Sequence, residues 1–365
     1  MPNKPNVSNL MASGLGAHTL REILHQPELW STTVEAVHSL ADRFRISKPH
    51  GRILLTGAGT SAYAAEAIAA AWPDAFAVPT TDLLVDLERY IQDLGTVISI
   101  ARSGESPESL AVVERIRALC PDVLQLAILC NKDGALSRAG IDGVAFLDPR
   151  TNDQSLVMTS SFSNLALAGI LLARPDAAAL VEQASQNASH LIEKINGACQ
   201  RIATHIIDRV VVLSSSPLVG WGQEAALKTL EMCAGRFAVL SETFLGLRHG
   251  PMSFVKPDTV VLCLLSSDPI RRAYELDLIQ ELRTKKIGYL VGIADPATFS
   301  ATFDDLIPAV VPEIDDALRT PFEILGPQLL GYHLSMLSKL DPDNPSPEGI
   351  INRVVREFKI HRAQS

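Results

Sequence analysis

A repeated alternation constrains the fold of this chain most. A short run of Val, Ile and Leu is followed by a loop of small residues and then by an amphipathic stretch. In the first half the runs are Arg52–Leu55, Ala75–Val78, Val97–Ile100 and Leu124–Leu129. In the second they are Arg209–Leu213, Phe237–Leu240, Thr259–Leu265 and Ile287–Ile293. A strand that is apolar at consecutive positions buries both faces, so such runs separated by helices predict parallel sheets covered on both sides. The halves also echo one another, Ile53–Ser61 with Val210–Gly220 and Val97–Ser106 with Val260–Pro269. The expected fold class is therefore α/β: two tandem lobes, each a parallel-sheet three-layer α/β/α sandwich, joined near Glu182–Gln200. The expected limits are 1–44 for an N-terminal helical segment (roughly Leu15–Arg43), 45–190 and 200–340 for the lobes, and 341–365 for a C-terminal tail.

Composition excludes several classes. A net charge of -9 argues against a nucleic-acid surface, although it leaves a small anionic ligand open. Met1–Asn9 is polar, without the apolar core of a signal peptide. The densest apolar runs, Leu165–Ala173 and Val260–Leu265, are too short to span a bilayer, so no membrane partner and a cytoplasmic location are expected. Five cysteines at irregular spacing (120, 130, 199, 233 and 263) are not a disulfide framework, and neither they nor the nine scattered histidines show zinc-ligand spacing. No metal site is expected.

Two loops carry the ligand chemistry. Val97–Ile100 runs into Ala101-Arg102-Ser103-Gly104-Glu105-Ser106-Pro107, with Ser106 placed as N-cap and Pro107 at the first helical position. Free amides, short hydroxyls and a positive helix end suit a phosphate, and Arg102 offers a fork of charged donors. The first strand ends in Gly57-Ala58-Gly59-Thr60-Ser61-Ala62, which satisfies a dinucleotide fingerprint, with Asp82 near the place of a ribose-binding acid. The hydroxyls of Thr60 and Ser61, however, and the second anion cradle on the neighbouring element favour a compact phosphorylated sugar. In the second half Glu224, Lys228 and Glu231 fall at i, i+4 and i+7 on one helix face, either a solvated ion-pair face or an acid–base set. His249 precedes Gly250-Pro251 and so sits in a turn rather than a helix, where it is a natural proton carrier. Together these groups suit an aldose–ketose isomerisation. His249 would open the ring, Glu231 would move the C2 proton to C1, and Lys228 would steer Glu231 or stabilise the oxyanion. That chemistry calls for no cofactor. An amine at C2 would leave as ammonia once the C2 imine is hydrolysed.

Along nearly its whole length the chain resembles the double sugar-isomerase-domain (SIS) family, and most closely its AgaS type, described as galactosamine-6-phosphate deaminase/isomerase or tagatose-6-phosphate ketose/aldose isomerase. The segments that carry the resemblance are Thr56–Ser61, Val78–Asp82, Arg102–Ser109, Met158–Ser161, Ala226–Lys228, Arg248–Pro251 and Ile351–Val355. By this resemblance Arg102, Ser103 and Ser106 hold the phosphate, with Thr60 and Ser61 beside it. Glu231 is then the catalytic base, Lys228 and Glu224 its helix partners, and Thr159 and Ser160 contact the sugar. The resemblance further implies that the ring-opening His249 is supplied across a homodimer interface and that the C-terminal tail docks at the active site. Three departures from the isomerase half of glucosamine-6-phosphate synthase bear on the reaction. Ala101-Arg102 replaces Ser-Gln. Arg353 stands near the synthase's imine-forming lysine, and an arginine forms no imine. No glutamine-hydrolysing segment or N-terminal Cys nucleophile precedes the lobes, which favours deamination over amination. The implied reaction is D-galactosamine 6-phosphate plus water to D-tagatose 6-phosphate plus ammonia. The alternatives are a glucosamine-6-phosphate deaminase, a fructosamine-6-phosphate deglycase of the same fold, a non-catalytic sugar-phosphate sensor and, on the Gly57–Ala62 fingerprint, an NAD(P) oxidoreductase.

Overall fold

The apolar runs form parallel strands in the computed structural model, which describes residues 14–47, 51–205, 207–354 and 359–361. The first sheet holds β1 (Arg52–Thr56), β2 (Ala75–Ala77), β3 (Leu94–Ala101), β4 (Leu124–Leu129) and β5 (Gly143–Phe146), in the order β2-β1-β3-β4-β5. The second holds β6 (Arg209–Ser214), β7 (Ala238–Thr243), β8 (Thr259–Leu264), β9 (Tyr289–Ala294) and β10 (Asp305–Pro308), in the order β10-β9-β8-β6-β7. Read from its other edge this is the same order, so the internal echo of the sequence is a duplicated topology. The strands span 52–146 in the first sheet and 209–308 in the second.

Side chains alternate across each sheet, and both faces are apolar. Ile53, Leu55, Ile98, Ile100, Leu126 and Ile128 face one core, shared with Val210, Val212, Val260 and Leu262 of the other sheet. Helices 160–173, 178–203 and 325–337 contribute to this core. Leu54 and Val97 face a separate outer cluster, as Val211, Leu213 and Val261 do on the second sheet. The lobes are thus fused through one core, and helix Ala178–Ala203 carries the chain from one sheet to the other.

Two local features position the site. Helix Thr60–Ala70 of the first lobe packs on helix Val219–Met232 of the second. A Cβ on Gly220 would stand 2.8 Å from both Ala67 N and Tyr63 O, so glycine permits the close crossing. The ends of the chain are stapled together as well. The N-terminal helical segment consists of two helices, Ala17–Leu24 and Gln26–Ser47, broken at His25. Asp343, from the C-terminal tail, accepts from His18 N at 3.0 Å, Thr19 N at 2.7 Å and Thr19 Oγ1 at 2.6 Å. It supplies from afar the cap that Gly16 lacks.

Candidate active site

In a sheet of this order the chain winds outward in opposite directions from β1 and β3. The crevice beyond their C-terminal ends is the topological switch point where such folds bind ligands. Two expected loops flank it. After β1, Gly57 packs so closely that a Cβ there would be 2.6 Å from Ser61 backbone atoms, and Gly59 has φ 56°. This tight turn delivers Thr60 and Ser61, both buried, to the first turn of the following helix. After β3, Gly104 takes φ 65°, Ser103 Oγ accepts from Glu105 N at 3.3 Å, and Asn131 Nδ2 donates to Ser103 O at 3.1 Å. Ser106 is the N-cap of helix Pro107–Leu119, but its hydroxyl donates to the Glu108 carboxylate and accepts no hydrogen bond from the helix amides. The amides at this helix end stay available to an anion.

Behind the first loop lies the charged group. Helix Val219–Met232 carries Lys228, whose Nζ is 3.2 Å from Glu224 Oε1 and 2.8 Å from Glu231 Oε2. The ammonium also donates to Thr60 Oγ1 and to Met158 O, each at 3.1 Å. Thr60 in turn donates to Glu224 Oε1 at 3.4 Å. Glu224 and Lys228 are fully buried, while the Glu231 side chain keeps 26% of its surface exposed. The i, i+4, i+7 face is therefore an interlobe cluster, not a solvated ion-pair face. Burial pushes the Glu224 carboxyl up to about 8 despite the ammonium beside it. Burial opposes the charge of Lys228, but the two carboxylates outweigh it and hold the ammonium above its usual range. The cluster thus holds one cation, one carboxyl that favours its neutral form and one carboxylate open to a ligand. The phenol of Tyr63, one turn beyond Thr60, is raised first by burial and then by the fields of Glu224 and Glu231. Sequence reasoning did not single it out, although its i+3 spacing from Thr60 places it on the same helix face.

A buried polar scaffold that sequence reasoning missed fixes the Met158 carbonyl. Asp153 accepts from Thr159 N at 2.8 Å, Ser160 Oγ at 2.5 Å, Ser161 N at 2.9 Å and Ser161 Oγ at 2.5 Å, closing the start of helix Ser160–Ala173. Glu22 accepts from Gln154 N at 2.6 Å and Ser155 Oγ at 2.5 Å. Thr159 and Ser160, expected at the sugar, are thus buried and engaged by Asp153. Arg102 is buried too, and its guanidinium points away from the serine loop. It donates to Ser155 O at 3.3 Å, Leu156 O at 3.0 Å and Arg353 O at 3.3 Å. The geometry makes it a clasp between β3, the 152–158 segment and the tail. Arg353 is exposed, with Nη2 2.9 Å from Asn152 Oδ1.

His249 follows helix Phe244–Leu247, which is capped by Thr243, and its turn ends at Gly250 with φ 122°. The residue is exposed, and among the described residues no hydrogen bond or ion pair joins its ring to the Glu224–Lys228–Glu231 group. Beside Glu231 lies a cavity of about 600 Å³, lined by Leu227, Leu230 and tail residues including Pro347 and Ile351. No described helix is long and apolar enough to cross a membrane.

No family model matches the chain. The D-galactosamine-6-phosphate deaminase AgaS of Shewanella sp. (strain ANA-3) is 36% identical over 365 residues, covering 94% of this chain and 91% of its own. The protein of the same name from Escherichia coli O157:H7 is 32% identical over 386 residues, covering 97% and 98%. The crystal structure of tagatose-6-phosphate ketose/aldose isomerase from Escherichia coli superposes with a TM-score of 0.82 at 28% identity, over 95% of this chain and 97% of that one.

Proposed function

The chain belongs to the AgaS family of double sugar-isomerase-domain proteins, and we propose that it is an amino-sugar-phosphate deaminase/isomerase converting D-galactosamine 6-phosphate and water to D-tagatose 6-phosphate and ammonia. One observation carries the reading. A buried lysine holds Glu231 at 2.8 Å, at the junction of the two lobes, with one face of that carboxylate open.

In this reading the amides and hydroxyls of the 103–106 loop, with Thr60 and Ser61 at the neighbouring helix start, receive the 6-phosphate. Remote binding energy then holds C1 and C2 against Glu231. Ring opening needs a proton delivered to the ring oxygen and one taken from the anomeric hydroxyl. The exposed His249, unattached to the cluster of its own chain, suits service across a homodimer interface. Glu231 removes the C2 proton of the open aldehyde and returns it at C1, passing through an enolamine. The resulting C2 imine takes up water and releases ammonia. Lys228 aims Glu231 through their 2.8 Å contact, and a neutral Glu224 leaves the cation to it. Arg102 serves as a positioning residue for the tail and the 155–156 backbone; Asp153 holds Thr159 and Ser160 in the wall of the site.

The test is ammonia release from purified protein, with galactosamine 6-phosphate and glucosamine 6-phosphate side by side. Release from the first alone is expected. Release from the second alone transfers the activity to the gluco sugar, and release from neither refutes the deaminase reading.

A further inference from the structure

The duplicated topology gives the second lobe its own switch point, beyond β6 and β8. The loop after β8, Leu265-Ser266-Ser267-Asp268, leads into Pro269 of a long helix, just as Arg102–Ser106 leads into Pro107. Serines, a helix start and Pro at the first helical position recur. The occupancy of the two loops differs.

In the second lobe the turn that follows the last strand, Asp316–Leu318, sends a buried carboxylate into the serine loop. Asp316 Oδ2 accepts from Ser266 Oγ and, at 2.9 Å, from Arg271 Nη1. Its Oδ1 accepts from Ser267 N at 2.8 Å and from Arg319 Nη1 at 3.0 Å. One hydroxyl, one loop amide and two guanidinium groups thus surround the Asp316 carboxylate, while Glu275 Oε2 accepts from Ser266 N at 2.8 Å and Asp268 caps the helix amides of Ile270 and Arg271. Arg319 is 1% exposed; its Nη1 also donates to Leu265 O at 2.7 Å, its Nη2 lies 3.7 Å from Glu323 Oε1, and its Nε is buried without a hydrogen-bond partner. In the first lobe the matching turn is Pro149–Thr151, with Pro149 in the place of Asp316. The carboxylate that precedes it, Asp148, bonds Arg150 instead of the serine loop.

We propose that the serine loop of the second lobe is a phosphate-type anion site occupied from within by Asp316, so that each chain keeps a single sugar-phosphate site although its fold is duplicated. The comparison of the lobes rests on reading the 103–106 loop as an anion site. A carboxylate carries the charge and acceptor geometry that such a cradle requires, and held in the chain it needs no ligand to stabilise the loop.

The test replaces Asp316 with Gly and titrates the full chain with inorganic phosphate by calorimetry, followed by thermal melts. D316G is expected to melt below the parent and to bind one more phosphate per chain than the parent does. Phosphate or sulfate should restore most of the lost Tm, and chloride at matched ionic strength should not. D316N, which keeps the side-chain volume, should gain no phosphate. An unchanged phosphate count in folded D316G, or equal recovery in chloride, overturns the proposal. Should D316G fail to fold, D316S is refolded in phosphate and in chloride: folding in phosphate alone supports the proposal, and the same outcome in both overturns it. The readout is a difference between variant and parent, so it stands or falls separately from whether the 103–106 loop binds phosphate.

Discussion

Substituting Gly220 with Ala tests whether the crossing of two helices sets the geometry of the cluster. The added Cβ would lie 2.8 Å from Ala67 N and Tyr63 O, both backbone atoms of helix Thr60–Ala70, so no side-chain rotation relieves the clash. Reaching the 3.4 Å at which ordinary contact begins requires a retreat of about 0.6 Å (3.4 minus 2.8). Thr60 opens that same helix, so a rigid retreat lengthens its 3.1 Å contact with Lys228 Nζ to about 3.7 Å, beyond hydrogen-bond range. Overpacking of this kind costs about 1–3 kcal/mol of stability. A lost hydrogen bond to a charged group costs about 1.5–3 kcal/mol, which sets an upper bound of roughly 10- to 150-fold on the loss in kcat/KM. The assay is ammonia release coupled to an NADH-consuming dehydrogenase, alongside a thermal melt. Gly197→Ala is the control: a Cβ there meets nothing within 4 Å, in the middle of helix Ala178–Ala203, so it should leave activity alone and stabilise by roughly 0.5–1 kcal/mol. Parental kcat/KM and Tm in Gly220→Ala would refute the claim that the crossing holds Thr60 against Lys228.

Four further outcomes are expected. Glu224→Gln should retain most activity at neutral pH. Native Glu224 titrates near 8 instead of near 4.5, so the folded parent binds an extra proton between those values and loses stability as pH rises through them; thermal melts across that range should be flatter for the variant. Lys228→Met leaves the Glu224–Glu231 pair without its buried cation and should cost about 3–5 kcal/mol by denaturant titration together with nearly all turnover. Glu231→Gln should abolish turnover while calorimetry still detects sugar-phosphate binding; retained turnover would remove it from the mechanism. Ser103→Ala should weaken phosphorylated sugars selectively, and equal weakening of phosphorylated and unphosphorylated sugars would refute its phosphate role.

How much of the molecule was legible in the sequence follows from which physics is local. Six interior strands could be read because strands apolar on both faces produce uninterrupted Val, Ile and Leu runs, and the edge strands β2 and β7 because each carries a short apolar run, Ala75–Val78 and Phe237–Leu240. The two that were missed, β5 and β10, are sheet-edge strands of four residues each, one with Gly and Ala and one bounded by Asp305 and Pro308. Gly143, Asp305 and Pro308 break the apolar run there. In the site, the i, i+4, i+7 spacing on helix Val219–Met232 did bring Glu224, Lys228 and Glu231 together, because one helix is its own ruler. Spacing did not decide whether that face was wet or dry; the first lobe's helix settled it by packing across it.

Arg102 shows where reading by proximity ends. Beside a serine–glycine loop a guanidinium suggests a phosphate fork, yet it turns to three carbonyls from segments that lie about 50 and 250 residues away in sequence. Two of those carbonyls, on Ser155 and Leu156, belong to an irregular segment that the fold largely covers, and a buried acceptor without a partner costs about 1–3 kcal/mol. Arg102 therefore goes where the unmet backbone demand is, a quantity created only by the tertiary fold. Asp153 and Asp316 obey the same rule with opposite sign: each gathers the free amides and hydroxyls of a loop that the chain alone does not reveal as buried. Charged residues in this protein were legible where their partners share a helix. Where the partner is an unsatisfied backbone group, the fold makes the assignment.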